Sequence, residues 1–372
     1  MNKTILQAIA TLIGTVIGAG ILGIPYAVSK VGFLPGMVML IILSVITVVL
    51  QLMFAELTLR TKHDHQIPGY SGFYLGYHIK QLALIVGLLA GYGTLLAYLI
   101  GEGKVLSSLF GGSQFMWGLI FFVFGSFIIY KGLEVIKRFE VVLAGFVLST
   151  LVVIGIFLSP HVRLDNLIYW DTTRLLIPYG VLLFALSGTV IIPQIRQELK
   201  GQEHKFPSVI IGANLIVFLV YAGFMYFVLG VTGKETTEVA TVGLGYTVGR
   251  NILILGNILA FFTMSTGFLA IGIAMRSLFQ YDYNFSRRKA LVAAIGVPLV
   301  LFLIGARDFI AVLGVVGGVL LGIQNALIVF SFWKSLINGN RKPEFRLGAL
   351  SYTGFILLVV FIVGAVLTFL NI

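Results

Sequence analysis

The chain has 372 residues, of which 59% are hydrophobic and 10% charged, with a mean hydropathy of +1.05 and a net charge of +11. So few charges exclude a soluble core of this size. The absence of cysteine excludes disulfides and thiolate metal sites.

Apolar runs of roughly 20 residues recur along almost the whole length, each long enough to cross a ~30 Å hydrocarbon layer as a helix. Helices are expected because a segment in lipid must satisfy its own backbone polar groups. In chain order the spacing predicts eleven spans, near 5–30, 34–59, 81–109, 114–130, 138–158, 175–199, 206–231, 247–279, 289–305, 308–334 and 349–370. The first run lacks a small-residue cleavage site and is not read as a signal peptide. The longer connections are 60–80 and 232–250, and neither resembles a soluble domain. A single transmembrane domain, 1–372, is the expectation.

The first span carries "GTVIGAGILGIPYA" (14–27), four glycines and a proline within an apolar run. Each glycine costs about 1 kcal/mol against alanine in a helix interior. One reading is close helix packing through Gly14-x-x-x-Gly18. The other is a helix broken at Gly18-Ala19-Gly20, leaving free carbonyls on one half and free N–H groups on the next. Such a break needs a cavity or a ligand. Free N–H groups attract an anion and free carbonyls a cation, and an amino acid carries both charges.

The third span contains Tyr98 and, one turn on, Glu102. An acid at membrane depth is a candidate proton carrier or a solvated vestibule carboxylate. Lys104 faces elsewhere on the helix and is not its expected partner. Glu56 and Arg60, four apart at the end of the second span, predict a helical ion pair. The sixth span, "GVLLFALSGTVIIPQIRQEL" (180–199), repeats the pattern of the first, with Ser187-Gly188-Thr189 and then Pro193. Interrupted helices at matching positions of two halves point to a transporter's central site. The first and sixth spans divide ten into 5–158 and an inverted 175–334, with 349–370 added. Gln324 and Asn325 in the tenth span predict helix-to-helix hydrogen bonds.

With the N-terminus inside, the outer side holds Lys30, Lys104, Arg163, Arg174, Lys234, Arg250 and Arg307, and the other eighteen of 25 basic residues lie inside. That asymmetry fits eleven spans with the C-terminus outside. A basic face against anionic membrane lipid accounts for the net charge without nucleic acid. His63, His65 and His78 form no expected metal set, and no nucleophile–base pair or phosphate loop is present, so neither an enzyme nor a cofactor is expected.

"GTVIGAGILGIPYAVSKVGF", Tyr98 with Gly101-Glu102-Gly103 and Leu106-Ser107-Ser108, and "IIPQIRQEL" resemble the first, third and sixth spans of the amino acid/auxin permease family, within the amino acid–polyamine–organocation superfamily. The resemblance extends over nearly the whole length to the bacterial aromatic and hydroxy amino acid permeases. It implies an all-α LeuT-type 5+5 inverted repeat with broken helices 1 and 6, an eleventh helix, and cation-coupled symport of amino acids across the cell (inner) membrane. It also implies that the N–H groups of Ala19, Gly20 and Ile21 hold the substrate carboxylate. The carbonyls of Val16, Ile17, Phe184 and Ala185 would hold the amine. A side chain on Gly18 or Gly20 would then occupy the ligand's volume.

Tyr98 is expected near the carboxylate or as a packed aromatic. Ser187 and Thr189 either line the side-chain pocket, with Gly188, or bond back to their own helix, the second being favoured for Thr189. Many relatives carry a histidine where Gly188 and Thr189 stand, and a smaller group leaves room for a neutral or aromatic substrate. For the driving ion, H⁺ through Glu102 is set against Na⁺ held by carbonyls of Gly14 and Ile17 with Thr263, Ser265 and Thr266. The default for those hydroxyls is capping their own helix. An amino-acid-sensing transceptor using the same pocket is the alternative function.

Overall fold

The computed structural model describes residues 3–131, 135–281 and 283–370. The side chains of Lys3, Lys137 and Arg138, counted above among the inner cations, lie outside the described residues. The helices are α1 (Lys3–Val16), α2 (Gly20–Ser29), α3 (Phe33–Arg60), α4 (Ile67–Leu75), α5 (Tyr77–Phe110), α6 (Gln114–Lys131), α7 (Val135–Leu158) and α8 (Asp165–Ile168). There follow α9 (Leu176–Ala185), α10 (Ile192–Glu198), α11 (Phe206–Thr232), α12 (Ala240–Val248), α13 (Arg250–Tyr281), α14 (Arg287–Leu303), α15 (Phe309–Val315), α16 (Gly322–Asn338) and α17 (Gly354–Leu370).

Helices stand at all eleven expected positions. Among the described residues, eight helical stretches are long and apolar enough to cross a membrane, and α1 with α2 make a ninth, bent by 52° at its break. The other two positions hold α14, 17 residues long and opening on Arg287-Arg288-Lys289, and the partly described α7.

The centre is α9, packed against α2, α3, α15, α17 and the π-helical turn Val316–Leu321 that joins α15 to α16. Gly180 and Gly317 make this crossing possible. A Cβ on Gly317 would run into the Gly180 carbonyl oxygen and come within 2.7 Å of the Phe184 nitrogen. Tyr179 of α9 donates to the Val360 carbonyl of α17 at 3.1 Å, tying the eleventh helix to the centre.

Each long connection contains a short helix, α4 and α12, and the two end alike. Gly76 (φ +94°) and Gly249 (φ +127°) close them, each amide bonding the glycine four residues before at 3.1 Å. The next long helix starts at once. Only glycine takes such a backbone without strain. The strings "GFYLG" (72–76) and "GYTVG" (245–249) are thus equivalent corners.

The end of the bundle rich in cations is held by polar contacts. Glu56 is buried, pairs with Arg60 at 2.7 Å and accepts the Leu347 N–H at 2.7 Å. Arg341 donates to the Leu59 carbonyl at 2.8 Å, and Lys62 N–H to Asn340 Oδ1 at 2.8 Å. At the opposite end Lys104 of α5 is paired with Glu238 ahead of α12. Asn257 of α13 links Ser108 (2.7 Å) and Thr241 (2.9 Å). The expectation for Gln324 and Asn325 is corrected: Asn325 Oδ1 is buried without a hydrogen-bond partner among the described residues. The π turn just before it shifts the register by which side chains meet neighbouring helices.

Substituting Gly317→Ala is expected to lower the thermal stability of the detergent-purified protein by about 1–3 kcal/mol or more, the cost of overpacking a tight contact. Gly145→Ala, inside α7 where a Cβ meets nothing within 4 Å, should not lower the melting temperature and should raise it if anything.

Candidate functional site

The first break runs over three residues. Helix α1 ends at Val16, and the Gly18 amide turns back onto the Val16 carbonyl at 3.0 Å instead of continuing the ladder. The new ladder begins with Leu22 N–H on the Ala19 carbonyl at 3.1 Å. Between them the N–H groups of Ala19, Gly20 and Ile21 make no hydrogen bond among the described residues. Pro25, inside α2, has no N–H to offer the Ile21 carbonyl.

The second break is its counterpart. Helix α9 ends at Ala185, and Leu186 and Ser187 still donate back to Leu182 (2.9 Å) and Phe184 (3.1 Å). The chain then turns at Gly188 (φ −130°, ψ 8°) into the 3₁₀ turn Thr189–Ile191 and α10. The Gly188 and Thr189 amides have no partner among the described residues.

The breaks lie against each other. A Cβ on Gly20 would sit 2.5 Å from Ala185 Cα, and one on Gly188 would sit 2.8 Å from Val16 Cγ2. The expectation that Gly20 keeps a ligand's volume open is therefore corrected: Gly20 is small because Ala185 is there. Gly18 differs, since its Cβ would meet only the Tyr98 hydroxyl, at 3.0 Å. Tyr98 lies between this break and Gly267 of α13, its hydroxyl and ring directly over Gly267.

A residue that the sequence did not single out joins the two breaks. The buried hydroxyl of Tyr221, on α11, lies 2.8 Å from the Val16 carbonyl and 2.9 Å from the Ala185 carbonyl. A phenol carries one proton, so it donates to one carbonyl at a time. Below the second break Asn214 Nδ2 donates to Gln51 Oε1 at 2.7 Å, and Gln51 Nε2 and Asn214 Oδ1 are buried without partners among the described residues. The expectation for Thr189 is also corrected. Its Oγ1 is buried without a partner there rather than bonded to its own helix: α9 has ended at Ala185 and the chain turns at Gly188 before Thr189 is reached. Phe184 and Ser187 are half-buried at the break.

Glu102 is fully buried one turn beyond Tyr98. Ser265 donates to its Oε1 at 2.8 Å, and Oε2 has no partner among the described residues. Lys104 is committed to Glu238. The oxygen set considered for sodium is divided. Thr263 bonds Leu259 and Ala260 carbonyls at 3.0 Å, and Thr266 bonds Phe262 and Thr263 carbonyls at 2.8 and 3.1 Å. Ser265 faces Glu102, and Gly14 lies half-buried in α1.

At the basic end α10 is clamped by Arg196, which meets Asp64 at 3.0 Å, the Thr61 carbonyl at 2.9 Å and the Tyr70 hydroxyl at 3.3 Å. Burial, with His63 beside it, pushes the His65 ring below the usual imidazole range. Neutral His65 packs edge-on to Tyr70, 5.4 Å between centroids, and adds no cation beside Arg196.

Residues 1–371 match the tryptophan/tyrosine permease family. The chain belongs to that family. It is accordingly a multi-pass amino acid transporter and not an enzyme, as the resemblance implied. Tyrosine-specific transport system 1 of Haemophilus influenzae is 24% identical over 359 residues, covering 90% of this chain and 89% of its own. Glutamine transporter 2 of Aliivibrio fischeri is 22% identical, covering 86% of each. The crystal structure of MhsT in complex with L-phenylalanine superimposes with a TM-score of 0.70 at 17% identity, covering 98% of both chains. The permease has the LeuT-type fold.

For this permease, Gly18→Ala is expected to cost about 1–3 kcal/mol by crowding the Tyr98 hydroxyl, and Tyr98→Phe in the same chain should recover at least half of that loss. Gly20→Val should show no such rescue and should fail as a folding defect, read as loss of monodisperse protein in detergent.

Proposed function

We propose that this permease is a secondary active symporter that moves neutral or aromatic amino acids with protons by alternating access. The observation that carries this reading is the three N–H groups of Ala19, Gly20 and Ile21, unpaired among the described residues, beside carbonyls of Val16, Ile17, Phe184 and Ala185. A substrate carboxylate would take the first set, at the positive end of α2, and its ammonium the second. Tyr98 would stand beside the carboxylate, with Ser187 and Gly188 bordering the side chain. The names of relatives, one a tyrosine system and one a glutamine transporter, fit a neutral substrate. The phenylalanine bound by the structurally similar MhsT fits it too.

In this reading residues 5–158 and 175–334 are two inverted five-helix groups and 349–370 is an addition. The matching breaks and the equivalent corners at Gly76 and Gly249 support it. The cation-rich end faces the cytoplasm, which puts the N-terminus inside and the C-terminus outside, in the cell (inner) membrane. Glu102 is the coupling group. Its buried carboxyl has one oxygen held by Ser265 and one free to carry a proton, and it sits one helical turn from Tyr98. Sodium is the weaker alternative because Ser265, of the oxygen set considered for it, is turned to Glu102.

The test is uptake by purified protein in liposomes, using labelled amino acids with a proton gradient, a sodium gradient or neither. A proton gradient alone should drive accumulation of a neutral or aromatic amino acid. Glu102→Gln should abolish accumulation while retaining counterflow exchange. Accumulation driven only by sodium, or undiminished in Glu102→Gln, would remove the proton assignment.

A further inference from the structure

Away from the breaks, a groove of about 430 Å³ opens at the basic end between the α4–α5 corner and α16. Leu75 and Ile79 form one wall, and Leu327, Phe330 and Ile337, spaced along a single helical face, form the other. The volume lies within the ~300–1,000 Å³ of small-ligand pockets. Lys334 is the one charged residue lining it. It is exposed and has no carboxylate partner among the described residues. Three acids are engaged in ion pairs of their own: Glu56 with Arg60, Asp64 with Arg196 and Glu344 with Arg341.

We propose that this groove holds an acyl chain of an anionic phospholipid whose phosphate is met by Lys334. Three observations choose that occupant. The walls are apolar and stay open to the surroundings, with Ile337 81% and Phe330 40% exposed on a chain whose surroundings are lipid. The lone charge stands at the end of α16 where headgroups would lie, and it is a cation. Among the described residues it is in no ion pair. A zwitterionic lipid would satisfy the walls but bring its own cation to Lys334.

The consequence reaches the transport site, and only this step rests on the function proposed above. The wall helix α4 carries Tyr70, which holds Arg196 of α10, and Tyr74, which meets Thr61 Oγ1 at 2.7 Å. A lipid seated between α4 and α16 braces the helix on which the inner half of the sixth span is clamped. Anionic lipid then tunes how readily that half releases.

The experiment is native mass spectrometry of the full-length protein extracted from bilayers of phosphatidylcholine mixed with phosphatidylglycerol. Wild type should retain phosphatidylglycerol in preference to phosphatidylcholine. Lys334→Gln should lower that retention about fivefold, the worth of one lysine beside an anionic surface, and Lys334→Arg should keep it. Leu75→Trp, which fills the groove, should lose it, while Lys62→Gln, outside the groove, should not. Equal retention in wild type and Lys334→Gln would overturn the proposal, as would cross-links from Phe330 to a second copy of the chain or to another protein. Lipid retention is read without transport, so failure of the symport reading leaves this result standing or falling by itself.

Discussion

A peptide group inside a membrane must find a hydrogen-bond partner, and this chain twice declines to supply one. A buried N–H left unmade costs about 1–3 kcal/mol, so three at Ala19, Gly20 and Ile21 are tolerable only with packing that offsets them or a ligand that meets them. The packing is visible: Gly20 presses on Ala185, Gly188 on Val16, and Tyr221 lends a hydroxyl to both broken ends. Without these close approaches the two spans would gain by re-forming continuous helices. The breaks persist because the small residues hold them face to face.

The breaks also decide which pieces act together. The half-helices pack crosswise, α2 with α9 and α1 with α10. Each pair is joined to the other through unwound backbone. At the basic end Thr11 of α1 reaches Glu198 of α10 at 3.5 Å, and Arg196 anchors α10 to the connection after α3. At the other end α12 joins α5 through Lys104 and Glu238. Breaking contacts at one end need not disturb the pair at the other, which is the mechanical requirement for exposing one site to two sides in turn.

Much of this was legible in the residues. Apolar run length located a helix at each of the eleven expected spans, though not the short α4, α8 and α12 in the connections, and glycine with proline marked both breaks, because those residues report on the backbone itself. The Glu56–Arg60 pair and the separation of Glu102 from Lys104 followed from helical spacing alone. What escaped was whatever depends on the opposite partner. Gly20 looked like room for a ligand because sequence does not show that Ala185 stands across from it. Thr189 looked self-capped because the turn that the backbone makes at Gly188 does not show in the sequence. Tyr221, in "LVYAGFMYF", reads as one more packed aromatic. The equivalent corners at Gly76 and Gly249 were there to be found by setting "GFYLG" beside "GYTVG".

Tyr221 sharpens what the proposed substrate would do. Its hydroxyl faces two carbonyls from different spans with one proton; Val16 also accepts the Gly18 N–H, so Ala185 is the one left short of a donor whenever the phenol turns to Val16. An ammonium brings three donors. Placed at these carbonyls, it would satisfy both together and free the phenol from choosing between them. The amine would then bind more than its own charge: it would complete the hydrogen bonding of two half-helices that the protein alone leaves incomplete. That makes the ligand a structural member of the break. It also gives the closed arrangement a reason to depend on substrate, because the same two carbonyls report on whether the first and sixth spans are held together.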